Sequence, residues 1–179
     1  MDKVNIKIKN KKFSLFLHEQ GILKRISVLA KKIKKEYKDK NPIFMVVLNG
    51  SFMFAADLLK HIDFPCEISF MRAKSYKGTK STGQVEFMFT HKHEFESGRE
   101  IIIVEDIVET GITIAAIKKH FKKINCKTSV VTLLWKPSKS GDYKPDYVAF
   151  EIPNGFVLGY GLDFDEEGRN LRHIYMEKK

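Results

Sequence analysis

The stretch from Ile101 to Ile124 constrains the fold more than any other part of this chain. Its first four residues, Ile101 to Val104, are all aliphatic. This pattern is typical of a buried strand in a parallel sheet, because β-branched side chains pack well on a pleated surface. From Ile112 to Ile124 the apolar residues recur at helical spacing instead. A strand joined to a helix by a short loop predicts an α/β fold, in which ligands bind at the carboxyl ends of the strands.

The loop between this strand and this helix carries residues that suit a sugar phosphate. Glu105 and Asp106 come where the strand is expected to end, and a loop from Ile107 to Gly111 follows. Glycine and two hydroxyl residues open the helix: Thr110, Gly111 and Thr113. Backbone N–H groups at a helix start lack internal partners and favour anions. Carboxylates beside an anion site indicate a ligand such as ribose 5-phosphate, and solvated acids on an ordinary turn are the alternative.

The segment VEDIVETG resembles the phosphoribosyl pyrophosphate (PRPP) motif of the type I phosphoribosyltransferases. That motif is an acidic pair, two aliphatic residues, Asp-Thr-Gly and a nearby Thr or Ser; Glu109 stands where the family has Asp. The resemblance implies that Glu105 and Asp106 hold the ribose hydroxyls, directly or through Mg²⁺. It implies that Glu109 lies near purine N7 as general acid or base. It also implies a 5′-phosphate site formed by Glu109, Thr110, Gly111, Ile112 and Thr113.

A second strand–loop–helix unit is predicted around Asn49-Gly50. Ile43 to Leu48 is a continuous aliphatic strand, and the residues after Ser51 have helical spacing, which argues against a hairpin turn at Asn-Gly. In the 6-oxopurine branch of the family, the equivalent loop often reads Leu-Lys-Gly and binds pyrophosphate through a non-proline cis peptide. The resemblance therefore implies that Asn49 and Gly50 bind pyrophosphate, with Asn49 in place of the usual lysine.

Cys66 to Arg72 is predicted to form a third strand, with which Val85 to Phe89 pairs. Between them, Lys74 to Gly83 is rich in Gly, Ser, Thr and Lys, so burial does not offset its ordering entropy and it should be mobile. A surface hairpin is one interpretation. The segment also resembles the flexible lid of the hypoxanthine branch, which implies that Ser75 and Tyr76 close over the pyrophosphate.

The apolar strand from Thr128 to Trp135 ends at Lys136. A lysine in that position is typically a solvated cap. However, LLWKPS followed by YKPDYVAFEIPNGFVLGYGLDF resembles the purine-recognition segment of the hypoxanthine-guanine phosphoribosyltransferases. The resemblance implies that Lys136 donates to purine O6, Phe156 stacks on the base, and the main chain of Val157 reads the ring edge. It further implies that Asp163, at the purine site, binds the Mg²⁺ of PRPP, and that Arg169 contacts pyrophosphate.

The size and charge of the chain set wider limits. Its 179 residues predict one domain, with a core over about residues 20–150 and a hood from the N-terminal segment and about residues 151–179. With 32 basic and 22 acidic residues the net charge is +10, which attracts anions of many kinds. Cys66 and Cys126 show no CxxC spacing, and the first residues lack an apolar signal-peptide core, so a cytoplasmic location is expected. No apolar run approaches the ~18 residues of a membrane span.

Taken over Ile43 to Arg169, the resemblance implies the type I phosphoribosyltransferase fold, a twisted, mainly parallel sheet with helices on both faces and a small hood. It implies a purine salvage enzyme that uses Mg²⁺ to convert a 6-oxopurine base and PRPP into a nucleoside monophosphate (IMP or GMP) and pyrophosphate. It also implies a homodimer or homotetramer. The alternative is a regulator of the same fold that senses PRPP or nucleotide and binds RNA or DNA. Lysines alone support only non-specific binding, so nucleic acid is not the expected partner.

Overall fold

The computed structural model describes residues 4–75, 85–89 and 95–178. The strands in these ranges are β1 (Asn5–Ile8), β2 (Lys11–Leu17), β3 (Ile43–Leu48), β4 (Glu67–Ser75), β5 (Val85–Phe89), β6 (Glu100–Val108), β7 (Lys127–Trp135), β8 (Tyr147–Glu151), β9 (Val157–Leu158) and β10 (Ile174–Glu177). The helices are α1 (Glu19–Tyr37), α2 (Phe52–Leu59), α3 (Ile112–Lys123) and α4 (Pro137–Ser140). None of these helices is long and apolar enough to cross a membrane.

The larger sheet has the strand order β5-β4-β3-β6-β7-β8. β3 pairs in parallel with β4 on one side and with β6 on the other, and β7 and β8 continue the parallel arrangement. β5 at the edge is antiparallel to β4. The predicted α/β fold with a mainly parallel sheet is therefore confirmed, and the carboxyl ends of β3, β6 and β7 lie along one edge.

Helices cover both faces of this sheet, because alternate residues of each central strand point to opposite sides. Phe44 of β3 packs in one core with the buried faces of α1 and α2. Its neighbour Met45 packs in the other core with α3. The aliphatic runs of β3 and β6 are thus buried on both faces, as the sequence predicts for parallel strands.

A second, antiparallel sheet has the order β1-β2-β10-β9 and combines the N-terminal hairpin with the last strands of the chain. We refer to this sheet as the hood. Phe13 and Leu158 are fully buried in its own small core. The connection that leads out of β9 also reaches the larger sheet's helices, because the hydroxyl group of Tyr160 donates a hydrogen bond to Asp57 of α2.

β6 is longer than the sequence predicts. It continues through Glu105 and Asp106 to Val108, so the expected loop from Ile107 to Gly111 begins only at Glu109. Pairing with β3 stops at Val104, whereas pairing with β7 continues to Val108. The two acids therefore lie in the strand itself, on the part that is no longer paired with β3.

Candidate active site

Glu105 and Asp106 form a carboxylate pair at the end of β6. The Oε2 atom of Glu105 is shielded from solvent and has no hydrogen-bond partner among the described residues. Burial raises the pKa of Glu105, and the neighbouring carboxylate of Asp106 raises it further. Burial also raises the pKa of Asp106 to about 6, although the N–H of Ile107 donates to its Oδ1 at 2.7 Å. The two carboxylates therefore accept fewer hydrogen bonds than they can. A sugar hydroxyl that donates to them, or a cation that binds them, would supply the missing partner.

The loop after β3 lies directly against these acids. A Cβ atom on Gly50 would be 1.5 Å from Oδ2 of Asp106, so only glycine fits there. On its other side, the carbonyl oxygen of Gly50 lies 2.0 Å from the place where a Cβ on Gly161 would be. The Leu48–Asn49 peptide that begins this loop is cis, as the resemblance implies. Residues from three distant parts of the sequence therefore meet at one point.

A pocket of about 170 Å³ extends from Glu105 to the start of α3. Its lining comprises Glu105, Ile107, Val108, Glu109, Thr110, Gly111, Thr113 and Ile114. Gly111 is the N-cap of α3 with φ +74°, and a Cβ there would be 3.0 Å from the ring of Tyr143. Ile112, also predicted for the 5′-phosphate site, is exposed and does not line the pocket. The first turn of α3 presents backbone N–H groups that lack intrahelical partners, the usual setting for a bound phosphate.

Glu109 and Lys136 form an ion pair beside this pocket. Lys136 is only 2% exposed, and its Nζ contacts Oε1 of Glu109. Lys139 donates to the other carboxylate oxygen, Oε2, at 3.0 Å. Partial burial alone would raise the pKa of Glu109, but the hydrogen bonds and charges of the two lysines outweigh it and lower the pKa. Glu109 is thus ionised at neutral pH, and the solvated-cap interpretation of Lys136 is wrong.

Asp163 and Arg169 lie together next to Gly161. Nη2 of Arg169 is 2.9 Å from Oδ1 of Asp163, and Nη1 donates to the carbonyl oxygen of Gly161 at 3.1 Å. The guanidinium group also acts to lower the pKa of Asp106, although burial dominates that carboxyl group. The arginine therefore lies between the hood segment and the acid pair of β6.

Phe156 and Val157 lie in the hood. The ring of Phe156 is 40% exposed, and its centroid is 6.2 Å from that of Phe13 and 5.6 Å from that of Phe164. Val157 is buried in β9, where it pairs with Met176 of β10. One ring is thus available for stacking beside a strand whose main chain is fixed.

Comparison with known proteins agrees with this geometry. The family model described as "Phosphoribosyl transferase domain" matches residues 14–165. The chain belongs to the phosphoribosyl transferase domain family. A hypoxanthine-guanine phosphoribosyltransferase of Lactococcus lactis is 41% identical over 162 residues, covering 89% of this chain and 88% of that protein. One from Aquifex aeolicus is 39% identical over 173 residues, covering 94% of this chain and 97% of that protein. A crystal structure of a Staphylococcus aureus hypoxanthine phosphoribosyltransferase matches with a TM-score of 0.83 and 36% identity, covering 92% of this chain and 91% of that chain.

Most of the residues predicted from the phosphoribosyl transferase resemblance lie around the carboxyl ends of β3, β6 and β7. Tyr76 and the side chain of Ser75 lie outside the described residues, as does most of the expected lid from Lys74 to Gly83. Sequence reasoning missed Lys139 and Tyr143. The first could have been found from its spacing, since it follows Lys136 by three positions, one helical turn.

Proposed function

We propose that this member of the phosphoribosyl transferase domain family is a hypoxanthine-guanine phosphoribosyltransferase that acts in purine salvage. It would transfer the phosphoribosyl group of PRPP to a 6-oxopurine base, forming a nucleoside 5′-monophosphate and pyrophosphate. The observation that carries this proposal is the pocket lined by the incompletely paired carboxylate of Glu105 and by the N-terminal turn of α3, with Asp106 next to Glu105 in the same strand. The names and coverage of the relatives support the same reaction.

The ribose 5-phosphate part of the substrate fits this pocket in one direction. We place the 5′-phosphate at residues 109–113, where backbone N–H groups and the hydroxyls of Thr110 and Thr113 can donate to it. The ribose hydroxyls then donate to Glu105 and Asp106, where Oε2 of Glu105 has no donor of its own. Holding both ends of the sugar orients C1′ for reaction. As pyrophosphate leaves, C1′ gains oxocarbenium character and the base nitrogen forms the new bond.

The purine is assigned to the space between Lys136, Phe156 and Val157. Lys136 would donate to purine O6, Phe156 would stack on the ring, and the main chain of Val157 would read its edge. A 6-amino purine presents a donor where Lys136 also donates, so the buried ammonium group gains no acceptor from that base and faces another donor instead. Glu109, held ionised by its lysines, would exchange a proton at purine N7.

Pyrophosphate and its metal are assigned to the side of the acids that faces the hood. Asn49, Gly50 and Arg169 would bind pyrophosphate, and the predicted roles of Ser75 and Tyr76 in closing over it stay predictions. Among residues 4–75, 85–89 and 95–178 no group of three His, Cys, Asp or Glu side chains is arranged to hold a metal ion. Mg²⁺ commonly uses one or two carboxylates plus substrate phosphates.

The carboxylates present fit such a metal ion. The unpartnered Oε2 of Glu105 is a suitable hard oxygen ligand, and Asp106 and Asp163 supply others. When bound, Mg²⁺ would neutralise the charge of the leaving pyrophosphate. The protein side chains orient that group, while Arg169 adds a fixed positive charge beside it.

The comparisons give no support to the alternative of a nucleic-acid-binding regulator. A homodimer or homotetramer stays a prediction, which light scattering on the purified protein would test. We also propose that residues 1–179 form one functional unit, because the assigned substrate contacts come from both sheets.

Product formation tests the proposed function. Purified protein is incubated with PRPP, Mg²⁺ and hypoxanthine, guanine or adenine, and the nucleotides are separated by chromatography. We expect IMP and GMP, and a kcat/KM for adenine lower by about a hundredfold or more. The double variant Glu105→Gln/Asp106→Asn is the control and should be inactive but folded by circular dichroism. Absence of IMP and GMP from folded wild-type protein would overturn the proposal.

A further inference from the structure

Glu109 is held by two lysines, one on each carboxylate oxygen. Lys136 contacts Oε1 from a side chain that is almost entirely buried, whereas Lys139 contacts Oε2 at 3.0 Å from a side chain that is 35% exposed. In the proposed function, Lys136 and Glu109 have roles in the reaction, whereas Lys139 has none.

The position of Lys139 is fixed by the short helix α4. Trp135 Nε1 donates to the hydroxyl of Ser140 at 2.8 Å within the buried interior. The N–H of Lys139 donates to the carbonyl oxygen of Lys136 at 3.1 Å. This closed turn places both lysines on the side that faces Glu109, so the double contact follows from the backbone.

We propose that Lys139 is a positioning residue that holds the Glu109 carboxylate in place when Lys136 turns to the purine. This inference rests on the proposed function: when the ammonium group of Lys136 also donates to purine O6, it is shared between the base and Glu109, and Lys139 holds the other carboxylate oxygen. Lys139 approaches from solvent and has no part in base recognition. It therefore remains on Oε2 through the reaction cycle.

The need for a second cation follows from glutamate at this position. Glutamate has one more rotatable bond than the aspartate of the family motif, so its carboxylate is less restricted and costs more entropy to order. A displacement of about 1 Å at a group that transfers a proton can cost about a hundredfold in rate. The extra methylene also gives the reach to Lys139, which an aspartate would lack.

Simple stabilisation is the competing explanation for this contact. A half-exposed ion pair contributes little to folding stability, because solvent screens it and two long side chains must be ordered. If Lys139 acts on Glu109, its loss should change kinetics while the melting temperature stays nearly constant. Stability and kinetics therefore separate the two explanations.

A double-mutant cycle on Glu109 and Lys139 tests the proposal. With Glu109 present, Lys139→Met should lower kcat/KM for hypoxanthine about tenfold, and Lys139→Arg should restore most of it. Glu109→Asp alone places the residue of the family motif at this position and supplies the second background of the cycle, against which further losses are measured. In the Glu109→Asp background, Lys139→Met should cost no more than about twofold, since the shorter side chain does not reach it. Lys119→Met, on the exposed face of α3, is the matched control and should behave as wild type.

The pH dependence of kcat/KM would stay the same if Lys139 had only a structural role. Within the part of the chain that the structure describes, the charged groups that act on Glu109 are Lys136 and Lys139, and both lower its pKa. Removing one of them should raise the pKa of Glu109, so the acidic limb of the kcat/KM profile moves to higher pH in Lys139→Met.

Three outcomes overturn the inference. If Lys139→Met leaves kcat/KM and the acidic limb unchanged while the wild-type enzyme turns over normally, Lys139 has no role and the proposed function survives. Equal losses from Lys139→Met in the wild-type and Glu109→Asp backgrounds would show that the two residues do not act together. Lack of turnover by the wild-type enzyme would remove the proposed function and this inference with it.

Discussion

Lys136 is a buried lysine whose ammonium group contacts the carboxylate of Glu109. Burying a charge is costly unless it is paired, and a residue that is only a surface cap would not be placed this way. Its burial places it where a carbonyl oxygen of the base can be recognised. The contact with Glu109 neutralises it in the free protein.

Replacing this lysine tests that role. Lys136→Met should lower kcat/KM for hypoxanthine about a hundredfold or more, because purine O6 loses its donor. The affinity for PRPP should change by less than about threefold, because the sugar phosphate is bound by other residues. Initial rates with each substrate varied in turn measure both effects. An unchanged kcat/KM for hypoxanthine would show that another group recognises O6.

For single residues, the sequence predicts the location of a side chain well when the strand or helix that carries it fixes that location. Glu105 and Asp106 follow a buried run, and Lys136 follows another, so their clustering could be anticipated. The spacing of Lys136 and Lys139 indicates that they share one side of a helical turn, but the contact of both with Glu109 also depends on how α4 is placed against β6.

Ser69 of β4 gives a further case of what the sequence leaves open. It is buried, whereas the larger Ile68 and Phe70 beside it are exposed. Alternation along this strand predicts its conformation but does not tell which face is covered, because that depends on the elements packed against the sheet.

The conformation of the loop between β3 and α2 depends strongly on which residues it contains. Gly50 is in contact with Asp106 on one side and Gly161 on the other, so its backbone fills the space completely. A side chain on it must displace the acid pair or the hood segment. Under the proposed function, this loop should therefore couple pyrophosphate binding to ribose binding.

Gly50→Ala tests this coupling. The added Cβ would lie 1.5 Å from Oδ2 of Asp106, so the carboxylate must move. A displacement of this kind should lower kcat/KM for PRPP about a hundredfold. Gly21→Ala is the matched control, since its Cβ would meet nothing within 4 Å and helix α1 should tolerate it. Normal kinetics in Gly50→Ala would mean that Asp106 does not hold the ribose.

The length of β6 could not be predicted from its own residues. Its aliphatic run ends at Val104, and the charges that follow are typical of a strand end. The strand continues because β7 offers backbone partners as far as Trp135. The local sequence pattern thus predicts that a strand is present, whereas the residue at which it ends depends on the neighbouring strand with which it pairs.

On the scale of the whole molecule, the proposed function divides the substrate between the two sheets. The larger sheet supplies the acids and the start of α3, and the hood supplies Phe156 and the main chain of Val157. Phe13 supports this arrangement from β2, since it is fully buried and its ring centroid lies 6.2 Å from that of Phe156. A change of packing within the hood should therefore affect binding of the base more than binding of the sugar phosphate.

Phe13→Leu tests this division. The smaller side chain should lower the free energy of unfolding by about 1 kcal/mol and let the Phe156 ring move. We expect the KM for hypoxanthine to rise about fivefold, with the KM for PRPP within about twofold of wild type. Phe121→Leu, a fully buried phenylalanine of α3, is the control for general destabilisation. A rise in both KM values by the same factor would argue against separate roles for the two sheets.

The architecture as a whole was accessible from the sequence because strands and helices alternate clearly, and because several motifs in a fixed order resemble one family. A hood formed from both ends of the chain was expected, but the strand pairing within it was not predicted, since β9 has only two residues and no pattern of its own. Pairing of that short strand with β10 depends on tertiary contacts around Phe13 and Tyr175.

The most direct test of the central claim is a crystal structure of the protein with bound IMP. We predict the 5′-phosphate against the backbone N–H groups of residues 109–113 and the ribose hydroxyls within hydrogen-bond distance of Glu105 and Asp106. Binding of the nucleotide elsewhere, with Oε2 of Glu105 still lacking a donor, would contradict the account.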